Sequence, residues 1–248
     1  MKSDKITTVW LDLDDTLIDF TTNAAAALSR MWQEQAVLQR LFPSAEHWAL
    51  RYEHHNQALW AQYSRAEIER DYLRMERFRR PLVEAGMPDT EARRLSTAYD
   101  PYYLDLLAQG KALMPGAIGL LEWLRAQSYT IGILSNGFKE VQHRKIHNAG
   151  LEPYIDIVVL SDDIGINKPD PRIYKYAMER AGQPDPSTHL IIGDNPDTDI
   201  AGALVSDWNA IWYLPQRAAD SLTECCPAGA VLVRTLQEIP HLLQSAKS

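Results

Sequence analysis

At 248 residues, with 46% hydrophobic and 23% charged side chains, the chain is long enough for one large core or for a core plus a smaller domain. No apolar run approaches the roughly 20 residues of a membrane-spanning helix. Two adjacent cysteines, Cys225 and Cys226, form no disulfide framework, and Met1–Lys5 leads straight into a strand rather than a signal peptide, so a cytoplasmic protein is expected. A net charge of −8 disfavours a nucleic-acid polymer as partner. It leaves room for a small phosphorylated metabolite, because one metal ion and one lysine reverse the sign locally.

The first predicted strand, Thr7–Leu13, runs into Asp12-Leu-Asp14-Asp-Thr16. Residues 20–108 then contain no convincing strand and read as successive helices, broken at Pro43-Ser44, Tyr63-Ser64 and Gly86-Met-Pro88. From about residue 115 short apolar runs alternate with helical segments. The strands are Thr130–Leu134, Asp156–Leu160, His189–Ile192, Ala210–Leu214 and Ala230–Val233; the helices are Pro115–Gln127, Lys139–Ala149, Pro171–Ala181, Thr198–Ser206 and a closing one near Leu236–Gln244. Such alternation predicts an α/β protein with a doubly wound parallel sheet covered on both faces. The expected domains are 1–19 and 109–248 as the core, with 20–108 as an inserted helical subdomain.

Polar clusters fall at four predicted strand ends, where open α/β sheets gather their ligand sites. They are Asp12 with Asp14, Ser135-Asn136-Gly137, Lys168 in Asn167-Lys-Pro169, and Gly193-Asp194 through Asp199. Strand alternation points Asp12 and Asp14 the same way, a like-charge pair that calls for a cation. The set suits phosphoester chemistry. One aspartate can act as nucleophile and a second carboxylate as general acid and then base. Mg²⁺ prefers a few carboxylates plus substrate oxygen and water, which Asp12 and Asp194 could supply. The Ser135 hydroxyl and the N–H groups of the Asn136-Gly137 turn can bind phosphate oxygens, with Lys168 as a point charge. Phosphate monoester hydrolysis needs acceleration of up to about 10²¹-fold, against roughly 10²–10⁴ from a single acid or base, so the whole set is required.

These four motifs, in this order, resemble those of the haloacid dehalogenase superfamily. The resemblance implies Asp12 as nucleophile and Asp14 as acid/base that also lends a backbone carbonyl to Mg²⁺. It further implies Asp194 as a metal ligand, with Thr16 and Asp199 in support, Asp199 holding its loop or Lys168. It makes the insert a C1-type cap that closes over small substrates. Asp14 separates phosphatases from the dehalogenase members, which lack that second aspartate. Asn56-Gln-Ala-Leu-Trp60-Ala-Gln-Tyr63, Ser135-Asn-Gly-Phe138 and Ser161–Pro169 resemble more narrowly the YjjG-type pyrimidine 5′-nucleotidases, with Arg65 where that subgroup often has glycine. The implied activity is phosphomonoester hydrolysis through an aspartyl-phosphate, on a pyrimidine nucleoside 5′-monophosphate. The alternatives are a phosphatase for phosphoglycolate or a sugar phosphate, or a catalytically silent binding protein. A monomer or homodimer is expected.

Each residue also has a plainer reading. Asp12 and Asp14 could cap a turn, Ser135 and Asn136 could start a helix, and Lys168 could be a solvated surface lysine. Asp197 could ligate a metal or cap a helix at Thr198, and capping is the reading preferred. Tyr52, Asn56, Leu59, Trp60 and Tyr63 share one helix face. They read either as subdomain core or as a base-recognition face, with Asn56 bonding and Trp60 or Tyr63 stacking. His143 and His147, beside Arg144 and Lys145, read as a solvated helix face rather than a metal pair.

Overall fold

The computed structural model describes residues 6–215 and 226–245; Cys225 lies outside them. The chain divides into two units, one of residues 1–20 with 112–248 and one of residues 21–111.

The first unit is built on a six-stranded parallel sheet. In chain order its strands are β1 (Thr8–Leu11), β2 (Thr130–Ser135), β3 (Ile157–Leu160), β4 (His189–Gly193), β5 (Asn209–Tyr213) and β6 (Ala230–Val233), arranged 3-2-1-4-5-6. The chain winds outward from β1 to β3, then restarts at β4 on the other side of β1. The sheet is therefore doubly wound as expected, and its topological switch point lies between β1 and β4.

Alternation along the strands explains the two cores. Val9 and Leu11 on β1, Ile131 and Ile133 on β2, and Leu190 and Ile192 on β4 face one apolar layer. Trp10, Leu134 and Ile191 face the other. Apolar residues on both faces are what a parallel sheet buried on both sides demands. Trp10 fills its layer so fully that a Cβ at its cross-strand partner Gly132 would fall 2.3 Å from the indole ring.

Five helices run through the second unit, the first starting at Phe20, the last residue of the first unit's opening segment: α1 (Phe20–Glu34), α2 (Ala36–Leu41), α3 (Ala45–Ser64), α4 (Arg70–Glu84) and α5 (Asp89–Ala108). Ser44 caps α3 by accepting from the His47 N–H, as its position after Pro43 suggests. The interior is aromatic: Trp48, Tyr52, Phe78, Tyr99 and Tyr103 are buried, with Tyr52 and Phe78 ring centroids 5.0 Å apart. Arg77 is buried beside them and donates to the Asp100 carboxylate, which also accepts from Arg74 Nε at 2.7 Å.

Among the described residues, the first unit's α-helices are α6 (Ala117–Ala126), α7 (Lys139–Asn148), α8 (Ser161–Ile164), α9 (Pro171–Ala181), α10 (Ala201–Val205) and α11 (Glu238–Ser245). Asp170 accepts from the Arg172 N–H, Pro171 opens α9, and Gly182 closes it at φ +66°. One expected helix differs. The segment from Thr198 starts instead as a wide turn, Pro196–Ile200, that runs into α10. Asn195, not Asp197, caps it, because the Asn195 side chain accepts from the N–H groups of Asp197 and Thr198.

Candidate active site

β1 ends at Leu11, so Asp12 is the first residue beyond the strand, and its N–H donates to the Ile192 carbonyl on β4 at 2.9 Å. That bond holds Asp12 at the switch point. Asp15 then turns the chain back at φ +56°, a left-handed conformation aspartate tolerates, and its N–H reaches the Ile18 carbonyl at 2.7 Å. The strand alternation assumed for Asp12 and Asp14 therefore stops before Asp14.

Lys168, reached through α8 rather than directly from β3, is 2% exposed. Its ammonium donates to Asp12 Oδ1 at 2.6 Å, to Asp199 Oδ1 at 2.5 Å and to the Leu134 carbonyl at 2.7 Å. All three N–H bonds are used, so a plain surface lysine is excluded. Asn136 holds the lysine's backbone from both sides, accepting from the Lys168 N–H at 2.7 Å and donating to the Lys168 carbonyl at 2.9 Å. Its amide thus clamps the lysine loop. Asp199 also anchors its own turn by accepting from the Asn195 N–H at 3.1 Å. A Cβ at Gly193 would fall 2.4 Å from Asp199 Oδ2, so glycine there leaves room for the carboxylate.

Asp194 follows β4. Thr16 Oγ1, fully buried, lies 3.4 Å from Asp194 Oδ1, and Trp212 Nε1 donates to the Asp194 carbonyl at 2.9 Å. Ser135 ends β2 and is 2% exposed; its Oγ accepts from the Gly137 N–H at 3.2 Å and from Gln142 Nε2 at 2.8 Å. Both lone pairs are occupied, which leaves the hydroxyl proton to donate. The Gly137 N–H is spent on that contact rather than left open to an anion.

Asp14 is bound elsewhere. Its carboxylate pairs with Lys145 at 2.8 and 3.0 Å and accepts from Gln142 Nε2 at 2.9 Å. The cation demanded by the like-charge argument is thus a second lysine. Lys145 is 4% exposed, which corrects its reading as part of a solvated helix face; the rest of that reading stands, since His143, Arg144 and His147 are exposed. Neither Lys145 nor Gln142 was recognised from the sequence. The available signal was their spacing of three on the helix after the Ser135 loop, which puts both on one face.

The electrostatics follow from this packing. Burial, reinforced by the Asp199 carboxylate and opposed by Lys168, raises the Asp12 carboxyl to about 7. Burial, with the charges of Asp12 and Asp199, pushes Asp194 well above the ordinary carboxylate range. Burial works against the Lys168 ammonium, but the Asp12 and Asp199 carboxylates outweigh it and hold its pKa above the usual lysine value. Oxygens of Asp12, Asp194 and Asp199 lie within 4.8 Å of one another. One ammonium cannot balance three carboxylates, so the donor set fits a hard divalent cation. Asp12 and Asp194 could supply the anionic ligands, because both Asp199 oxygens are already committed.

In the second unit, Asn56 is 4% exposed and lies with Tyr52 and Leu59, both fully buried, so these three belong to the helical core. Trp60 and Tyr63 are half-buried and pair edge to face, with centroids 5.6 Å apart.

Comparison with known proteins agrees with this geometry. The family model for haloacid dehalogenase-like hydrolases matches residues 6–207. The pyrimidine 5′-nucleotidase YjjG of Escherichia coli is 31% identical over 204 residues, covering 82% of this chain and 84% of that protein. A phosphoserine phosphatase of Thermus thermophilus is 31% identical over 220 residues, covering 82% and 86%. Among solved structures, the putative hydrolase YfnB of Bacillus subtilis, bound to magnesium, superposes with a TM-score of 0.80 at 26% identity, over 97% of this chain and 99% of that one. With the motif residues gathered at the switch point of a doubly wound sheet, the chain belongs to the haloacid dehalogenase-like hydrolases.

Proposed function

We propose that this hydrolase is a Mg²⁺-dependent phosphomonoesterase acting through an aspartyl-phosphate on Asp12. The observation that carries the reading is the Asp12 carboxylate at the switch point, 2.6 Å from the buried Lys168 ammonium, with Asp194 beside it and Asp14 two residues along. Asp12 attacks phosphorus, and the bond from phosphorus to the ester oxygen breaks. Asp14 gives its proton to that oxygen. Water, losing a proton to Asp14, then attacks the aspartyl-phosphate; phosphate departs and Asp12 is restored. Lys168 and the Ser135 hydroxyl bind phosphoryl oxygens and stabilise their developing charge. Asp12, Asp194 and the Asp14 carbonyl would hold Mg²⁺, which would supply charge neutralisation for the anionic cluster and the substrate phosphate.

The leading substrate is a pyrimidine nucleoside 5′-monophosphate, supported by the resemblance to pyrimidine 5′-nucleotidases across both units. Trp60 and Tyr63 are proposed as the aromatic surface for the base; Asn56, as core, is a weaker candidate. A phosphatase for another small metabolite is the second reading, since a phosphoserine phosphatase is equally similar. A panel of uridylate, deoxyuridylate, thymidylate, phosphoserine and sugar phosphates separates the two. Nucleotides are expected to be turned over best, and poor turnover of all three beside a sugar phosphate or phosphoserine overturns the nucleotidase reading. Asp12→Asn should abolish turnover, and Asp14→Asn should lower it by roughly 10²–10⁴.

A further inference from the structure

The proton-transfer role given to Asp14 depends on where its carboxylate points, and two side chains of α7 decide that. Lys145 donates to both Asp14 oxygens, Oδ1 at 2.8 Å and Oδ2 at 3.0 Å, and Gln142 Nε2 donates to Oδ2 at 2.9 Å. The other N–H of the same amide reaches Ser135 Oγ at 2.8 Å. One glutamine therefore ties the Asp14 carboxylate to the Ser135 hydroxyl.

Packing alone does not account for this arrangement. Gln142 is 1% exposed, and with both N–H groups spent its Oε1 has no hydrogen-bond partner. A buried amide serving only to fill space would turn to satisfy its acceptor, because an unpaired buried oxygen costs free energy. Lys145, also buried, gives up solvation that its neighbours His143, Arg144 and His147 keep. Its ammonium sits 4.9 Å from the Phe20 ring centroid, which closes it in from another side. The loop after β2 is shaped around the same amide: a Cβ at Gly137 would fall 2.1 Å from Gln142 Nε2.

We propose that Lys145 and Gln142 are positioning residues for Asp14. They hold its carboxylate in one orientation, with Oδ2 occupied by two donors and Oδ1 by one, so that Oδ1 keeps a lone pair and is the oxygen that exchanges the proton. In the first half-reaction the proton on Oδ1 passes to the leaving ester oxygen as its bond to phosphorus breaks; in the second, a proton from water returns to Oδ1. Gln142 keeps this oxygen in register with Ser135, and so with the phosphoryl group that Ser135 binds. The proposal rests on the reading of Asp14 as acid/base.

Leaving-group dependence tests it. A nucleoside 5′-monophosphate leaves as an alkoxide that needs a proton, whereas 2,4-dinitrophenyl phosphate leaves as a stable phenolate that needs none. For both, kcat/KM reports only the steps through loss of the alcohol or phenol. With Mg²⁺ present, Lys145→Met and Gln142→Met should each lower kcat/KM for the nucleotide by roughly 10–10²-fold and change that for the dinitrophenyl ester by no more than about threefold. Lys145→Arg should recover part of the loss. Equal losses on the two substrates would mark a merely structural role and overturn the proposal. Gln142→Met nearly keeps the volume and removes both donors, so it carries the test alone if Lys145→Met does not fold. Asp14→Asn is the reference: if it discriminates between the substrates and the α7 variants do not, positioning fails while the acid/base role survives. If Asp14→Asn lowers both equally, the acid role itself fails.

Discussion

Lys168 shows how much one side chain holds at this site. Its ammonium is the only cation donating to Asp12 and Asp199 among the described residues, and it does so while almost wholly buried. Lys168→Met should abolish turnover, since nothing else of that charge reaches the same place. It should also destabilise the metal-free fold by about 3–5 kcal/mol, because removing one partner of a buried ion pair strands the charges it balanced. Urea unfolding at neutral pH checks this, and a variant as stable as wild type would mean the carboxylates do not depend on the lysine. Asn136 sits one step further out. Its side chain places Lys168 through the backbone, a role invisible in the motif, where serine, asparagine and glycine read together as an anion cradle.

At the scale of elements, the start of β4 is fastened to its neighbours by a buried histidine. His189 lies in an aromatic stack with Trp10 on β1 and Trp208 ahead of β5, its ring centroid 4.7 Å from that of Trp208. Trp10 Nε1 donates to His189 Nδ1 at 3.0 Å, and Nε2 faces the Gln183 carbonyl at 2.9 Å, so the network requires the neutral ring with its proton on Nε2. Burial accordingly lowers its pKa below 6.5, partly opposed by the Gln183 carbonyl and Asp185. The unfolded chain then binds a proton more readily than the folded one. The stability this site contributes is complete above about 6.5 and is lost as the pH falls towards the folded value. The urea midpoint of the wild type should fall over that interval, and the His189→Phe variant should lack that part of the decline. An identical acid profile in the variant would remove His189 as the cause.

For the molecule as a whole, the aspartate cluster makes the opposite demand on pH. The Asp12 carboxyl is raised from 3.8 to about 7, and Asp194 is raised as well. Groups raised in the fold cost stability as the pH climbs from their unfolded values through their folded ones. Metal-free protein should therefore lose stability between about pH 4 and 7 from this site. Mg²⁺ should restore it, adding about 2.7 kcal/mol at a hundredfold excess over its dissociation constant. Asp194→Asn should raise the metal-free melting temperature near neutral pH and blunt the response to Mg²⁺, both readable by thermal unfolding with and without chelator. A variant that keeps the full Mg²⁺ response would exclude Asp194 as a ligand.

The alternation of apolar runs with helical segments was enough to recognise a doubly wound sheet, because strands buried on both faces must be apolar throughout. The order of the aspartate, serine, lysine and aspartate motifs was enough to bring Asp12, Ser135, Lys168, Asp194 and Asp199 to the strand ends, since sequence position at a strand's end is position in space. Three things were settled only by tertiary packing. The rotation of α7 about its axis turns Lys145 and Gln142 inward beside Val141 and Ile146 and leaves His143, Arg144 and His147 exposed; two apolar residues mark the inward face but do not say which polar neighbours are buried with them. The turn at Asp15 ends the strand before Asp14 and gives that carboxylate its own cation. The depth of α3 separates Asn56, which is core, from Trp60 and Tyr63, which keep an open edge, although all three share a helical face. Burial is a property of what packs against a residue, and those neighbours lie far away along the chain.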